Sequence, residues 1–194
     1  MNVLITGISG CIGSNLAYEL HKQKNNILGI DRRIDFDSKI IQKLNTSESS
    51  RLLELDLAID STIISEVMEN FSPDIIFHFA SEKSISKSLG SPLSFWSNNL
   101  YSTINILKSL KDKKIKGIIF SSSAAVYGES KISIKENDTI EPISIYGKTK
   151  LANEMLLEDF YKTSGTNIII LRYFNVLGSN PNAGIFEDRQ NDSK

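Results

Sequence analysis

Short apolar runs alternate with longer segments of helical periodicity along most of this 194-residue chain. Apolar runs that recur in this way, each bounded by turn residues, are typical of strand–helix units that build a parallel sheet. The pattern predicts six strands, at residues 2–6, 26–31, 51–55, 74–79, 117–121 and 166–172. It predicts five helices between them, at residues 12–24, 37–44, 61–71, 93–110 and 146–162.

This order of elements predicts an α/β fold with a doubly wound parallel sheet, because right-handed crossovers place the helices on both faces. We expect one domain over residues 1–177. Residues 127–144 are rich in Gly, Ser, Glu, Asp and Pro, which predicts a surface loop beside the end of the fifth strand and so a binding loop. Residues 178–194 show little periodicity and are expected to be an irregular tail.

Composition argues against several kinds of partner. The chain has 22 Lys and Arg against 23 Asp and Glu, so it has no electrostatic basis for binding nucleic acid or an anionic membrane. No apolar run approaches the roughly 20 residues that span a bilayer. A single cysteine, Cys11, fits a reducing compartment, and no signal-peptide pattern precedes the first strand. We therefore expect a cytoplasmic protein.

A glycine-rich turn directly follows the first predicted strand. Gly7, Gly10 and Gly13 are spaced by three residues between this strand and the first helix. In a dinucleotide-binding turn, such glycines allow the tight turn, the approach of the backbone to the phosphates and close helix packing. The strand-to-helix context favours this hypothesis over a structural turn without a ligand. Cys11 and Ile12 lie inside the turn, and Cys11 is interpreted as a packing residue because no base or second cysteine is near it.

The choice of dinucleotide depends on Asp31, which ends the second predicted strand. A carboxylate there can accept hydrogen bonds from both adenosine ribose hydroxyls and repels a 2′-phosphate, which favours NAD. Arg32 and Arg33 follow and point the other way, because a guanidinium binds phosphate well. Asp56 and Leu57 follow the third strand, where the adenine ring is expected; a helix cap is the alternative role for Asp56.

Tyr146 and Lys150 are four residues apart on a predicted helix, so they share one face. A tyrosine that acts as a base at neutral pH needs its pKa lowered by about three units, which a nearby ammonium and a positive nicotinamide ring can supply. Three serines at residues 121–123 end the fifth strand, where a hydroxyl can hydrogen-bond a reacting oxygen. The alternatives are an ordinary helix surface and serines that satisfy their own backbone.

Six segments together resemble the extended short-chain dehydrogenase/reductases of the NAD-dependent epimerase/dehydratase family, and most of all the UDP-glucose 4-epimerases. These segments are residues 6–13, 77–80, 98–99, 121–128, 146–150 and 171–178. The resemblance runs from residue 2 to about residue 178 and implies a Rossmann domain that binds NAD. It also implies an isomerase of nucleotide-sugar metabolism that oxidises a UDP-hexose transiently and then reduces it again.

The resemblance implies a role for each matching residue. Ser123 and Tyr146 would be the catalytic hydroxyl and base, Lys150 the activating cation, and Ser123 and Asn175 the substrate contacts. The residues implied to contact the dinucleotide are Gly7, Gly10, Cys11, Ile12, Gly13, Asp31, Asp56, Leu57, Phe79, Ala80, Lys83, Asn99, Tyr146, Lys150 and Tyr173. The helices at residues 93–110 and 146–162 resemble those that form a dimer bundle in this family, so we expect a homodimer.

The two histidines receive no chemical role. His78 is expected to pack inside a strand, and His21 to lie exposed on a helix. With one cysteine and two histidines that are far apart in sequence, no metal site is expected.

Two departures from the family pattern change what we expect of the chain. Ala124 and Ala125 stand where related 4,6-dehydratases carry an acidic pair, so dehydration is disfavoured. Family members continue beyond Asn175 into a smaller domain that closes over the sugar nucleotide, which implies that residues 178–194 begin such a domain and that the chain is truncated. Weak or no epimerase activity is therefore expected. The alternatives are a non-catalytic dinucleotide-binding remnant and an NADP-dependent reductase.

Overall fold

All six predicted strands form one parallel sheet. The computed structural model describes residues 1–83, 85–110, 113–129 and 133–178, so the predicted tail lies outside the described residues beyond Gly178. The strands are β1 (Asn2–Thr6), β2 (Asn26–Asp31), β3 (Ser50–Glu54), β4 (Ile75–His78), β5 (Gly117–Ser123) and β6 (Ile168–Tyr173). They lie in the order β3-β2-β1-β4-β5-β6, which confirms the doubly wound fold.

The helices connect these strands. They are α1 (Cys11–Lys22), α2 (Lys39–Asn45), α3 (Ser61–Phe71), α4 (Ile85–Gly90), α5 (Pro92–Ser109) and α6 (Ile145–Ser164), with a 3₁₀-helix at Ala124–Tyr127. Helix α4 was not predicted, because its segment is short and mostly polar and carries no apolar period. Helix α1 ends before its predicted end at Lys24, which has a left-handed φ of 60° that no helix continues through.

A crevice at the carboxyl edge of the sheet follows from the strand order. The chain runs from β1 outward to β2 and β3 and then returns to β4 on the other side of β1. The connections that follow β1 and β4 therefore leave the sheet in opposite directions. Ligands of open α/β sheets bind at such a reversal point.

Alternate residues of the strands pack into two apolar cores. Leu4 of β1 contributes to the core that contains side chains of α3, α5 and α6, whereas Val3 and Ile5 contribute to the core with α1 and α2. The central strands are therefore buried on both faces, which explains their nearly continuous apolar sequence. On the edge strand β6, Ile169 and Leu171 are 53% and 37% exposed.

A buried histidine links β1, β4 and α5 beneath the crevice. The Nδ1 atom of His78 lies 2.7 Å from Oγ1 of Thr6, and its Nε2 atom lies 3.0 Å from Oγ1 of Thr103. The backbone N–H of Ala80 donates to the same Thr6 oxygen at 3.1 Å. Burial, with a smaller contribution from the charge of Lys150, lowers the pKa of His78 to about 3, so the ring is neutral at pH 7.

We predict that this histidine makes the fold sensitive to acid. Its pKa of about 3 in the folded chain lies below the 6.5 of a free histidine, so the unfolded chain takes up the proton first as the pH falls through 6.5. The free energy of unfolding should therefore fall by about 2 kcal/mol between pH 7 and pH 5 through this group. Urea denaturation at the two pH values measures the loss.

The variant His78→Gln should be less stable than the wild type at pH 7, because the amide replaces the ring poorly. Its free energy of unfolding should fall less than that of the wild type between pH 7 and pH 5. His21→Gln, on α1, is the control and should keep the full loss. An equal loss in His78→Gln and the wild type would contradict the prediction.

Candidate functional site

A cavity of about 650 Å³ occupies the crevice at the carboxyl edge of the sheet. Every residue predicted to contact cofactor or substrate lines it. These residues are Gly7, Gly10, Cys11, Ile12, Gly13, Asp31, Asp56, Leu57, Phe79, Ala80, Lys83, Asn99, Ser123, Tyr146, Lys150, Tyr173 and Asn175. The fold thus brings all of them together, and their individual roles stay predictions.

The glycine turn is shaped by contacts that admit no side chain. Gly7 has a left-handed φ of +72°, and a Cβ atom at Gly13 would lie 2.2 Å from the carbonyl oxygen of Gly7. Gly10 is the N-cap of α1, so no side chain caps this helix, and no acidic side chain lies in its first turn. The N–H groups at the N-terminus of α1 therefore offer an anion site beside the cavity.

Asp31 and Asp56 line the cavity at the ends of β2 and β3. The backbone N–H of Ser9 donates to Oδ2 of Asp31 at 3.0 Å. Burial raises the pKa of Asp31, and this backbone hydrogen bond opposes the rise. Oδ1 of Asp56 accepts from the N–H of Ala58 at 2.9 Å, so this carboxylate stabilises the turn after β3. The N-cap of α3 is Asp60, not Asp56.

Lys150 is almost completely buried on α6, with 2% of its surface exposed. Its Nζ atom donates to the carbonyl oxygen of Ser121 at 2.7 Å and lies 4.9 Å from the centre of the Phe120 ring. It also lies 5.6 Å from the centre of the Tyr146 ring. Burial lowers the pKa of Lys150 to about 7, against the opposing effect of the Glu154 carboxylate one helical turn further along.

The phenol of Tyr146 is set between apolar and polar neighbours. Its ring meets that of Phe95 edge-on, with 6.4 Å between ring centres. Burial raises the pKa of Tyr146, and a hydrogen bond with the Ser123 side chain lowers it only in part. Lys150 therefore does not by itself produce the lowered pKa that we expected from the sequence. Ser123 also accepts the N–H of Ala125 at 3.2 Å, so it partly satisfies its own backbone, as the alternative interpretation stated.

A partly buried ion pair behind the cavity was not predicted from the sequence. Arg172 of β6 donates to Glu154 of α6 from Nη2 at 2.8 Å and from Nε at 3.1 Å. The Ser122 hydroxyl donates to the same carboxylate, and Arg172 also donates to the Tyr127 hydroxyl at 2.7 Å. These bonds raise the pKa of Arg172 further above its usual value. The pair joins β5, β6 and α6 next to the serine run.

The connection after β4 supplies further wall residues that were not predicted. Ser81 and Glu82 line the cavity, and the Oδ1 atom of Asn99 accepts from the N–H of Glu82 at 2.8 Å. The Nδ2 atom of Asn99 donates to Thr149 at 3.1 Å and to the carbonyl oxygen of Glu82 at 3.2 Å. Asn99 therefore holds this connection against α6. The rule that ligands bind at carboxyl strand ends would have indicated both residues.

The far end of the cavity is formed by the end of β6. Tyr173 pairs in register with Ser123, which places the two residues side by side on neighbouring strands. Burial raises the pKa of Tyr173. Asn175 follows the strand and is exposed. The other wall residues, which were not among the predicted cofactor and substrate contacts, are Arg32, Leu55, Asn98, Ser102, Ser121, Ser122, Phe174, Val176 and Leu177.

Comparison with known proteins identifies the family of this chain. The model of the NAD dependent epimerase/dehydratase family matches residues 3–191. The chain belongs to this family. The UDP-glucose 4-epimerase of Lactobacillus helveticus is 32% identical over 189 residues, which are 97% of this chain and 56% of that protein. The UDP-glucose 4-epimerase of Halalkalibacterium halodurans is 32% identical over 195 residues, which cover 100% of this chain and 56% of that protein.

Solved structures of this family share the fold. UDP-glucose 4-epimerase from Brucella ovis in complex with NAD superimposes with a TM-score of 0.82 and 30% identity over 95% of this chain and 55% of that chain. UDP-glucuronic acid 4-epimerase from Bacillus cereus, in complex with UDP-glucuronic acid and NAD, superimposes with a TM-score of 0.83. It is 31% identical, over 92% of this chain and 58% of that chain. The chain thus spans about half the length of the relatives it matches. No helix in the described part of this family member is long and apolar enough to cross a membrane.

We predict that Gly13→Ala destabilises the fold by about 3 kcal/mol, because the new Cβ atom would meet the Gly7 carbonyl oxygen and force α1 away from β1. Gly90→Ala is the control, since a Cβ atom there has no heavy atom within 4 Å. It should change stability by less than about 0.5 kcal/mol. Urea denaturation of both variants measures the difference, and equal stabilities would show that the close approach is not needed.

Proposed function

We propose that this chain is the NAD-binding part of a nucleotide-sugar 4-epimerase that acts on a UDP-hexose. One observation carries the proposal: the glycine turn, Asp31 and the group Ser123, Tyr146 and Lys150 line a single cavity. Family membership and the NAD-bound structures of related 4-epimerases support it. A plain structural turn would not require an acid and a tyrosine–lysine pair at the same edge.

The residues present fit a dinucleotide. The backbone of the glycine turn and the N-terminus of α1 would hold the pyrophosphate, because the N-cap residue is Gly10 and neither a side-chain cap nor an acidic residue occupies the first turn. The carboxylate of Asp31, with one oxygen bonded to Ser9, can accept from the adenosine ribose hydroxyls. At the other end, Lys150 would hold the nicotinamide ribose. The chemistry that NAD supplies when bound is the reversible acceptance of a hydride from a sugar carbon.

The protein's own part in that chemistry is to move one proton. The phenol oxygen of Tyr146 would take it from the sugar hydroxyl, and Ser123 would hydrogen-bond the same sugar oxygen. Burial alone raises the pKa of Tyr146, so the lowering needs the ammonium of Lys150 and the positive nicotinamide ring together. Ala124 and Ala125 offer no group that could expel water from the sugar, so epimerisation is favoured over dehydration.

Three further parts of the proposal concern the whole protein. Because the chain spans about half the length of its relatives, we propose that it has little epimerase activity alone. We propose a homodimer through α5 and α6, on which Tyr101 and Met155 are 52% and 60% exposed. The single cysteine supports a cytoplasmic location.

We predict that NAD binds the folded chain and raises its melting temperature more than NADP does at equal concentration, because Asp31 disfavours a 2′-phosphate. Isothermal titration calorimetry and thermal unfolding measure both effects. Asp31→Ala should weaken NAD binding at least about tenfold, because hydrogen bonds to a charged acceptor are lost. Absence of heat with oxidised and reduced coenzyme on folded protein would overturn the proposal, and a larger shift with NADP would favour a reductase.

We predict that Tyr146→Phe binds NAD with an affinity within about threefold of the wild type, because the phenol serves the reaction more than the binding. The slow reduction of NAD by a UDP-hexose that we expect of this chain, followed by absorbance under single-turnover conditions with concentrated protein, should be lost. Tyr18→Phe, the same change on α1 and outside the cavity wall, is the control and should retain it. Turnover that persists in Tyr146→Phe would rule out this residue as the base.

A further inference from the structure

An ion pair crosses the cavity at the end where adenosine is expected. The Nη2 atom of Arg32 lies 2.9 Å from Oε1 of Glu82. Arg32 follows β2 and Glu82 lies beyond β4, and β1 separates these two strands in the sheet. Since neighbouring strands are about 4.8 Å apart, the guanidinium must reach over the end of β1. It is therefore directed across the crevice and away from the outer side of β2.

Glu82 is held in place by contacts that do not involve Arg32. Its Oε1 atom also accepts from Nδ2 of Asn98 at 3.2 Å. Its backbone N–H donates to Asn99 at 2.8 Å, and its carbonyl oxygen accepts from the same side-chain amide at 3.2 Å. Asn99 is only 2% exposed and bonds α6 as well. The carboxylate is thus a fixed acceptor to which the longer and more flexible arginine side chain comes.

This pair matters for orientation more than for stability. The side chains of Arg32 and Glu82 are 49% and 26% exposed, and exposed ion pairs contribute little to folding. Arg32 is, however, next to Asp31, at the strand end where an arginine accommodates the 2′-phosphate of NADP. That phosphate carries about −1.5 to −2 charges at pH 7 and would need a free guanidinium. In this chain the guanidinium of Arg32 is paired with the carboxylate of Glu82, and the carboxylates of Asp31 and Glu82 would both repel the phosphate.

We propose that Glu82 is a specificity residue, which keeps Arg32 across the crevice and so makes the site select NAD over NADP. Asp31 provides the ribose contact, and Glu82 engages Arg32, the neighbouring cation in the cavity wall that would compensate for that carboxylate. This inference rests on the proposed function, because it requires a dinucleotide in this cavity. The proposal gives Arg32 a role in NAD selection, although an arginine at this position of the sequence would by itself favour NADP.

The variant Glu82→Gln tests the proposal, because it keeps the shape of the side chain and removes its charge. Calorimetry at one low ionic strength gives Kd for NAD and for NADP. We expect the ratio of Kd for NADP to Kd for NAD to fall about tenfold, the effect of one charge-assisted hydrogen bond gained. Glu48→Gln, the same charge change on an exposed residue before β3, is the control and should leave the ratio unchanged.

The double variant Glu82→Gln/Arg32→Gln completes the test. It should lose the gain in NADP binding, because that gain requires the guanidinium. An unchanged ratio in Glu82→Gln, or a gain that survives the loss of Arg32, overturns the proposal. Glu82→Ser, which removes the carboxylate and is too short to reach Arg32, replaces Glu82→Gln if circular dichroism shows that the latter is not folded. A wild-type chain that binds neither coenzyme would instead overturn the proposed function, so the two failures are distinct.

Discussion

The contact between the first turn of α1 and the end of β1 is the constraint on which the site depends. A Cβ atom at Gly13 would lie 2.2 Å from the Gly7 carbonyl oxygen, so the helix reaches this position only without a side chain there. The N–H of Gly7 donates to the carbonyl oxygen of Ile30 at 2.8 Å, which fastens the turn to β2. Together these contacts direct the N-terminus of α1 at the crevice where the strand order reverses.

The opposite wall depends on α6 and on the serine run that ends β5. Tyr146, Lys150 and Glu154 follow one another at four-residue spacing, so one face of α6 presents a phenol, an ammonium and a carboxylate. Ser121 accepts from Lys150, and Ser122 donates to Glu154. Polar groups that would be costly to bury alone are therefore satisfied by the neighbouring strand. The same burial brings the pKa of Lys150 to about 7, close to physiological pH.

The electrostatics of this wall connect binding to chemistry in the proposed function. Burial raises the pKa of Tyr146, so the phenol stays protonated until further positive charge arrives. A bound oxidised nicotinamide would bring that charge, which makes coenzyme binding the step that activates the base. At the other end of the cavity, the Arg32–Glu82 pair is the proposed selector of that coenzyme. In the proposed function the two ends would act in sequence: one would select the dinucleotide, and the other would respond to its charge.

Sequence alone determined the doubly wound parallel sheet, the five longer helices, the glycine turn and those wall residues that were predicted as contacts, because each depends on local periodicity or on residues that end a strand. Only the tertiary structure decided which partner each charged side chain meets. Arg32 pairs with Glu82, Arg172 pairs with Glu154, and Lys150 donates to the Ser121 carbonyl oxygen. It also decided that burial raises the pKa of Tyr146. Such pairings join residues from different strands and helices, so they follow from packing and desolvation, which no local pattern in the chain encodes.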